Sequence, residues 1–258
     1  MQPYCSYLIC ATPHNGSTLL CEALRNTRIA GWPEEYFEVL GKTALIRQSG
    51  AYSQPDDEEG RAIHFSAETY ADYLMSVLEE GTTPNGVFGA KIMWDYFDDF
   101  ICGLRHIPAY RDSAVRDLLP TIFPNLHYVW VTRRNKVQQA VSLWEAFQRQ
   151  TWKLTEPPAR KLRFHFEVID HLAQKIVADE ADWWRFFDAC GIQPFIVVYE
   201  ELARACEVTV RNVLQYLQIP IPENLVLAER SMKRQPDTLF EGKVQHFYKL
   251  KREQYALG

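Results

Sequence analysis

The chain has 258 residues, 47% of them hydrophobic and 24% charged. That much apolar side chain can build a full core, which excludes a disordered chain. A formal net charge of −5 excludes a broad basic face for nucleic acid but leaves room for a local basic pocket.

Tyr7–Ala11 reads as an apolar strand, and Thr18–Arg25 as the helix after it. Between them, Gly16-Ser17-Thr18 stands where the helix begins. Backbone N–H groups and a helix N-terminus at such a loop attract an anion, although serine and threonine there also suit an ordinary helix cap. The loop lacks the Gly-Lys-Ser/Thr that ends an NTPase phosphate loop, so a phosphorylated ligand is expected and ATP or GTP hydrolysis is not. Residues 41–65, with Gly41, Gly50, Pro55, Gly60 and Asp56-Asp-Glu-Glu59, read as a surface insertion or lid; the acidic run alone equally suits a solvated loop.

Ser66 is placed to cap a helix running to Leu78, and Gly86–Met93 reads as a second strand with Lys91 near its end. Leu126–Thr132 is a third strand, running into Arg133-Arg134. The next helix, Asn135–Arg149, has apolar residues at 137, 140, 141, 144 and 147 and carries Ser142 two turns along. An arginine at a strand end and a hydroxyl on the following helix could grip a phosphate together; a surface arginine pair beside a helix-face serine is the competing reading. Lys161–Cys190 reads as a long helix stopped by Gly191, then come a strand at Pro194–Tyr199 and helices at Val208–Leu217 and Phe240–Tyr255.

Strands with little polar alternation, separated by helices, predict an α/β fold. Its central parallel sheet would be flanked by helices, with a partly helical cap and ligands at the strand C-termini, all in one domain over residues 1–258. The six cysteines, at 5, 10, 21, 102, 190 and 206, form no Cys-x-x-Cys pair; buried free thiols are expected rather than zinc or a disulfide framework. No histidine spacing suggests a metal site. Without a membrane-length apolar run or a basic flank before the first apolar stretch, a cytoplasmic setting is expected.

Pro13-x-x-Gly16-Ser17-Thr18, then Arg133 and Ser142, then Val197-Val-Tyr-Glu-Glu-Leu202 follow in an order that resembles the sulfotransferases. The narrower resemblance is to the bacterial trehalose 2-sulfotransferase-like family. It is carried by Gly31-Trp-Pro-Glu-Glu-Tyr-Phe37, residues 83–94, Gln139-Ala-Val-Ser-Leu-Trp144 with Trp152, and Arg234-Gln-Pro-Asp237. It implies a P-loop-like fold and the donor 3′-phosphoadenosine-5′-phosphosulfate (PAPS). His14, Asn15, Gly16, Ser17 and Thr18 would hold the 5′-phosphosulfate, and Arg133 with Ser142 the 3′-phosphate. Arg134 is the reserve at the second site, while Arg234 and Gln235 would approach the nucleotide from the 234–258 segment.

Glu35 aligns with the family's catalytic glutamate and is expected to be the base, against the reading of a surface glutamate like its neighbour Glu34. Lys91, Trp94, Trp144 and Trp152 are candidates for the acceptor side, where aromatic faces suit sugar C–H surfaces; each tryptophan alone equally suits the core. The chain departs from its relatives at His14, where they carry lysine or arginine. Histidine is a cation only near or below a pKa of about 6.5. His14 is therefore read as a hydrogen-bond or proton donor to the leaving phosphate, or as a plain loop residue. The implied acceptor is a hydroxyl of a small carbohydrate or glycolipid headgroup, with no metal required. A kinase-like phosphoryl transferase and a non-catalytic nucleotide-binding protein are the competing functions. A homodimer is common for this fold, but no sequence feature sets an interface.

Overall fold

The computed structural model describes residues 3–38, 67–149, 162–222 and 238–257; the 41–65 insertion, Trp152, Arg234 and Gln235 lie outside them. Four strands, β1 (Cys5–Ala11), β2 (Val87–Met93), β3 (Leu126–Thr132) and β4 (Phe195–Val198), form one sheet in the order β2-β1-β3-β4. All three pairings are parallel, with Ile9 opposite both Lys91 and Val129. The expected α/β class is therefore the observed one, and every strand delivers its C-terminus to the same edge.

Nine α-helices are described: α1 (Ser17–Asn26), α2 (Ala67–Glu80), α3 (Phe97–His106), α4 (Val115–Ile122), α5 (Lys136–Arg149), α6 (Phe166–Cys190), α7 (Tyr199–Arg204), α8 (Cys206–Tyr216) and α9 (Thr238–Leu257). Successive residues of β1 point to opposite faces. Tyr7 and Ile9 pack with Leu20 and Leu24 of α1 and Val210 and Val213 of α8. Leu8 and Cys10 pack with Phe100 of α3, Leu118 of α4 and Trp183 and Phe187 of α6. Each such fully buried large side chain contributes roughly 1.5–3 kcal/mol relative to exposure. A third cluster, with Val141, Ile169, Val244 and Phe247, joins α5, α6 and α9.

Helices α3, α4 and α7 were not expected from the sequence. Helix α4 is eight residues long with Pro120 inside it, and α3 carries Gly103. Both are weak local signals that tertiary packing overrides: a Cβ on Gly103 would lie 2.5 Å from the Tyr70 ring, so glycine is what lets α2 and α3 meet. The fourth strand stops at Val198 because Tyr199 already begins α7. The long helix starts at Phe166 rather than Lys161 and ends, as expected, at Gly191 in the left-handed conformation (φ 67°). Among the described residues no helix is long and apolar enough to cross a membrane.

Candidate functional site

The strand C-termini gather the candidate residues. After β1 the chain turns through His14, whose φ is 59°, and Gly16, whose φ is 96°. Gly16 is required here twice over. Its φ is one that L residues avoid, and an added Cβ would lie 2.3 Å from Cδ2 of Tyr199. Asn15 is fully buried, and its side chain faces the protein rather than a ligand. Its Nδ2 donates to the Val131 carbonyl at 2.6 Å, and its Oδ1 accepts from the Ser17 N–H at 3.1 Å. The loop is also tied to α5, because Gln139 Nε2 donates to the Pro13 carbonyl at 2.7 Å and to Thr12 Oγ1 at 3.0 Å. Thr18 is exposed at the start of α1, where a helix N-terminus leaves N–H groups for an anion.

The two phosphate-site candidates from β3 and α5 meet this loop. His14 Nδ1 and Ser142 Oγ lie 3.0 Å apart and share a hydrogen bond whose direction follows the imidazole tautomer. Arg133 is 2% exposed. It donates through one guanidinium nitrogen to the His14 carbonyl at 3.4 Å and through the other to Gln138 Oε1 at 3.2 Å. The guanidinium also lies 4.6 Å from the centre of the Tyr199 ring, within cation–π range. Arg134 turns away: its side chain is 61% exposed and pairs with Glu201. Tyr199 thus braces both Gly16 and Arg133, and the strand-ending Tyr-Glu-Glu-Leu run was the sequence signal for it.

His14 is held neutral. Burial, then the Arg133 guanidinium and the Lys91 ammonium, lower its pKa from 6.5 to about 4. In the unfolded chain the imidazole takes up a proton near pH 6.5, but in the folded protein only near pH 4. Unfolding therefore gains a proton between those values, and His14 makes the fold less stable as pH falls through that window. The loss amounts to about 3 kcal/mol at most. Urea denaturation of the wild type and His14→Gln at pH 7 and pH 4 checks this: the wild type should lose more stability than the variant, and equal losses would show His14 to be uncoupled.

On the far side of the loop, residues 32–35 run beside β2. Gly31, at φ 70°, permits the approach, since a Cβ there would lie 2.6 Å from the Gly89 nitrogen. The Lys91 N–H then donates to the Glu34 carbonyl at 2.9 Å, and Glu34 bridges to Ala90 in parallel. Neighbouring residues on extended backbone project oppositely, so the two glutamates separate. Glu34 pairs with Arg25, whereas Glu35 turns inward, its Oε1 2.5 Å from Lys91 Nζ. Lys91 is 5% exposed and also donates to Thr18 Oγ1 at 3.3 Å. The buried Tyr96 hydroxyl lies 3.4 Å from Glu35 Oε2 and 3.2 Å from the Lys91 carbonyl oxygen. Nothing in local sequence pattern singled out Tyr96.

The tryptophan candidates pack in different places. Trp94 follows β2, stacks on Phe97 and meets Trp183 edge-on. Trp144 belongs with the α5–α6–α9 cluster, and its indole N–H donates to the Arg163 carbonyl at 2.9 Å.

Parallel strands, a left-handed loop opening onto a helix N-terminus, and basic residues gathered beside it define an α/β protein with a loop-to-helix turn at the strand C-termini. The family model for Stf0 sulphotransferase matches residues 6–248. The chain is 31% identical over 229 residues to trehalose 2-sulfotransferase of Mycolicibacterium smegmatis, covering 82% of this chain and 84% of that one. It is 30% identical over 243 residues to trehalose 2-sulfotransferase of Mycobacterium tuberculosis, covering 90% and 91%. The sulfotransferase domain from the curacin biosynthetic pathway overlays with a TM-score of 0.47 at 16% identity, over 92% of this chain and 82% of that one. The chain belongs to the Stf0 sulphotransferase family and is a sulfotransferase.

Proposed function

We propose that the protein transfers the sulfuryl group of PAPS to a hydroxyl of a small, trehalose-like carbohydrate, with Glu35 as the base. One observation carries this reading: the Glu35 carboxylate is joined through Lys91 to Thr18 of the anion loop. That supports Glu35 as a proton acceptor for a hydroxyl approaching the donor's sulfur. Two named relatives are trehalose 2-sulfotransferases, which supports the choice of acceptor class.

The donor set fits a doubly phosphorylated nucleotide. The 5′ end would meet His14, the backbone N–H groups of Gly16 and Thr18 and the Thr18 hydroxyl; Ser17 is buried and its N–H is committed to Asn15. The 3′-phosphate would meet Arg133, which can grip it with a planar fork, and Ser142. Asn15 serves through its backbone and by holding the turn. Arg234 and Gln235 are proposed for the nucleotide, and Trp94, Trp144 and Trp152 for the acceptor wall, on the family resemblance alone. When bound, PAPS supplies an activated sulfuryl group whose leaving group is adenosine 3′,5′-bisphosphate.

Glu35 takes the proton of the acceptor hydroxyl as its oxygen bonds to sulfur. His14 and the loop N–H groups would hold the 5′-phosphate, which would keep the electron pair of its broken bond to sulfur. Lys91 and the N-terminus of α1 stabilise the charge spread over the transferring group, and Ser142 and Arg133 fix the nucleotide in line. His14 donates a hydrogen bond to the leaving phosphate, whose negative charge favours the imidazolium over the neutral ring of the ligand-free protein.

Thermal unfolding with adenosine 3′,5′-bisphosphate, adenosine 5′-monophosphate and ATP–magnesium tests the donor. A ligand that binds only the folded state raises Tm by mass action, and at a hundredfold excess over Kd it stabilises by about 2.7 kcal/mol. The expected result is a rise largest for the 3′,5′-bisphosphate. A larger rise with ATP–magnesium would point to a phosphoryl transferase instead.

A further inference from the structure

Lys91 touches both halves of the proposed site. Its ammonium binds Glu35 Oε1 at 2.5 Å and Thr18 Oγ1 at 3.3 Å, in a position 5% exposed. Glu35 is held from its other oxygen by the Tyr96 hydroxyl at 3.4 Å. An ammonium has three donors on a flexible stem and can change partners without leaving its place in the sheet. A carboxylate oxygen that already accepts from an ammonium is occupied toward an incoming hydroxyl. In the ligand-free protein the proposed base is therefore tied up by the residue that also faces the anion loop.

Resting on the donor reading above, we propose that Lys91 is a positioning residue that couples the two halves of the site. A phosphate anion in the loop draws the ammonium off Glu35 toward Thr18 and so releases the carboxylate to take the acceptor's proton. The base becomes competent only once the donor is in place. The charges at the site agree with this exchange. Burial by itself lowers the Lys91 pKa, but the surroundings, Cys21, Glu35 and Glu34, reverse the net direction to upward. The Cys21 thiol, pushed up to about 12 chiefly by burial, carries no charge near neutrality, so the two glutamates supply the negative field. An incoming phosphate is a stronger anion than either and competes for the same cation.

The test follows the Glu35 carboxyl carbon directly. Protein labelled with 13C at the glutamate side-chain carboxyl is titrated with adenosine 3′,5′-bisphosphate, with the Glu35 signal assigned by its loss in Glu35→Gln. Calorimetry on the same samples measures ligand occupancy. The expected result is a shift of the Glu35 signal that saturates with occupancy in the wild type, persists in Lys91→Arg, and is lost in ligand-saturated Lys91→Met. A residue that merely fills the core would leave this signal unmoved. A wild-type signal that stays put while calorimetry reports bound ligand overturns the coupling and leaves the donor reading standing; so does an equal shift in Lys91→Met. Absence of any binding heat overturns the donor reading and the coupling together. The wild-type titration decides the matter even if Lys91→Met does not fold.

Discussion

Glu35→Gln is expected to lower kcat by about 10²- to 10⁴-fold, the range of a lost general base, while adenosine 3′,5′-bisphosphate binds at least as tightly, because a neutral amide competes less for the Lys91 ammonium. The substitution is mild on the fold. Glutamine keeps an oxygen for the Lys91 ammonium, which Glu35 Oε1 now accepts from at 2.5 Å, and removes only the capacity to take a proton. Glu35→Ala makes a useful contrast. It strands a buried ammonium, at a cost on the order of 3 kcal/mol at most, since Glu35 itself is partly solvated. Steady-state transfer from labelled PAPS to trehalose, with calorimetry for the bisphosphate, separates the two effects. A glutamine variant with a kcat within about threefold of wild type, well outside the range of a lost base, excludes Glu35 as the base.

Arg133→Met is expected to weaken adenosine 3′,5′-bisphosphate about 10- to 100-fold, the value of a lost hydrogen-bonded charge contact. Arg134→Ala should change it less than about twofold, because an exposed ion pair is worth little. The structure separates these neighbours sharply. Arg133 is buried against the His14 carbonyl and the Tyr199 ring, whereas Arg134 pairs with Glu201 at the surface. Adenosine 5′-monophosphate, which lacks the 3′-phosphate, supplies the control. Its affinity should not change in Arg133→Met. An equal loss for both nucleotides would show that Arg133 acts by holding the His14 loop and not by meeting the 3′-phosphate.

Much of this site could be read from residue order. The apolar run before Gly16-Ser17-Thr18 located β1 and α1, and the β3-to-α5 passage placed Arg133 just after the strand and Ser142 on the helix. These are local signals: apolar runs set strands, and 3.6-residue periodicity sets helices. Family resemblance, rather than spacing, chose Glu35 over Glu34 and Arg133 over Arg134. Where each of these four side chains points appears only with the sheet in place. The Glu34 backbone bonds to β2, so the next side chain must face Lys91. Asn15 illustrates the converse. It stands in the loop proposed to hold the donor, yet its amide is used to tie that loop to Val131 and Ser17. Helices α3 and α4 were missed because each depends on tertiary contacts that outweigh a glycine or proline in its own sequence.

The sequence by itself determined the alternation of strands and helices, the loop at Gly16 that opens the first helix and the stop at Gly191, since backbone sterics and apolar periodicity act within a few residues. Only the tertiary structure decided which polar groups meet. His14 meets Ser142 across 128 residues, and Lys91 meets Thr18 across 73. Those pairings depend on strand order and register, which bring the C-terminal ends of β1, β2 and β3 side by side. Burial, and then the Arg133 and Lys91 charges brought together by the same convergence, lower the His14 pKa, because desolvation and the field at a site come from groups that the chain holds far apart until it folds.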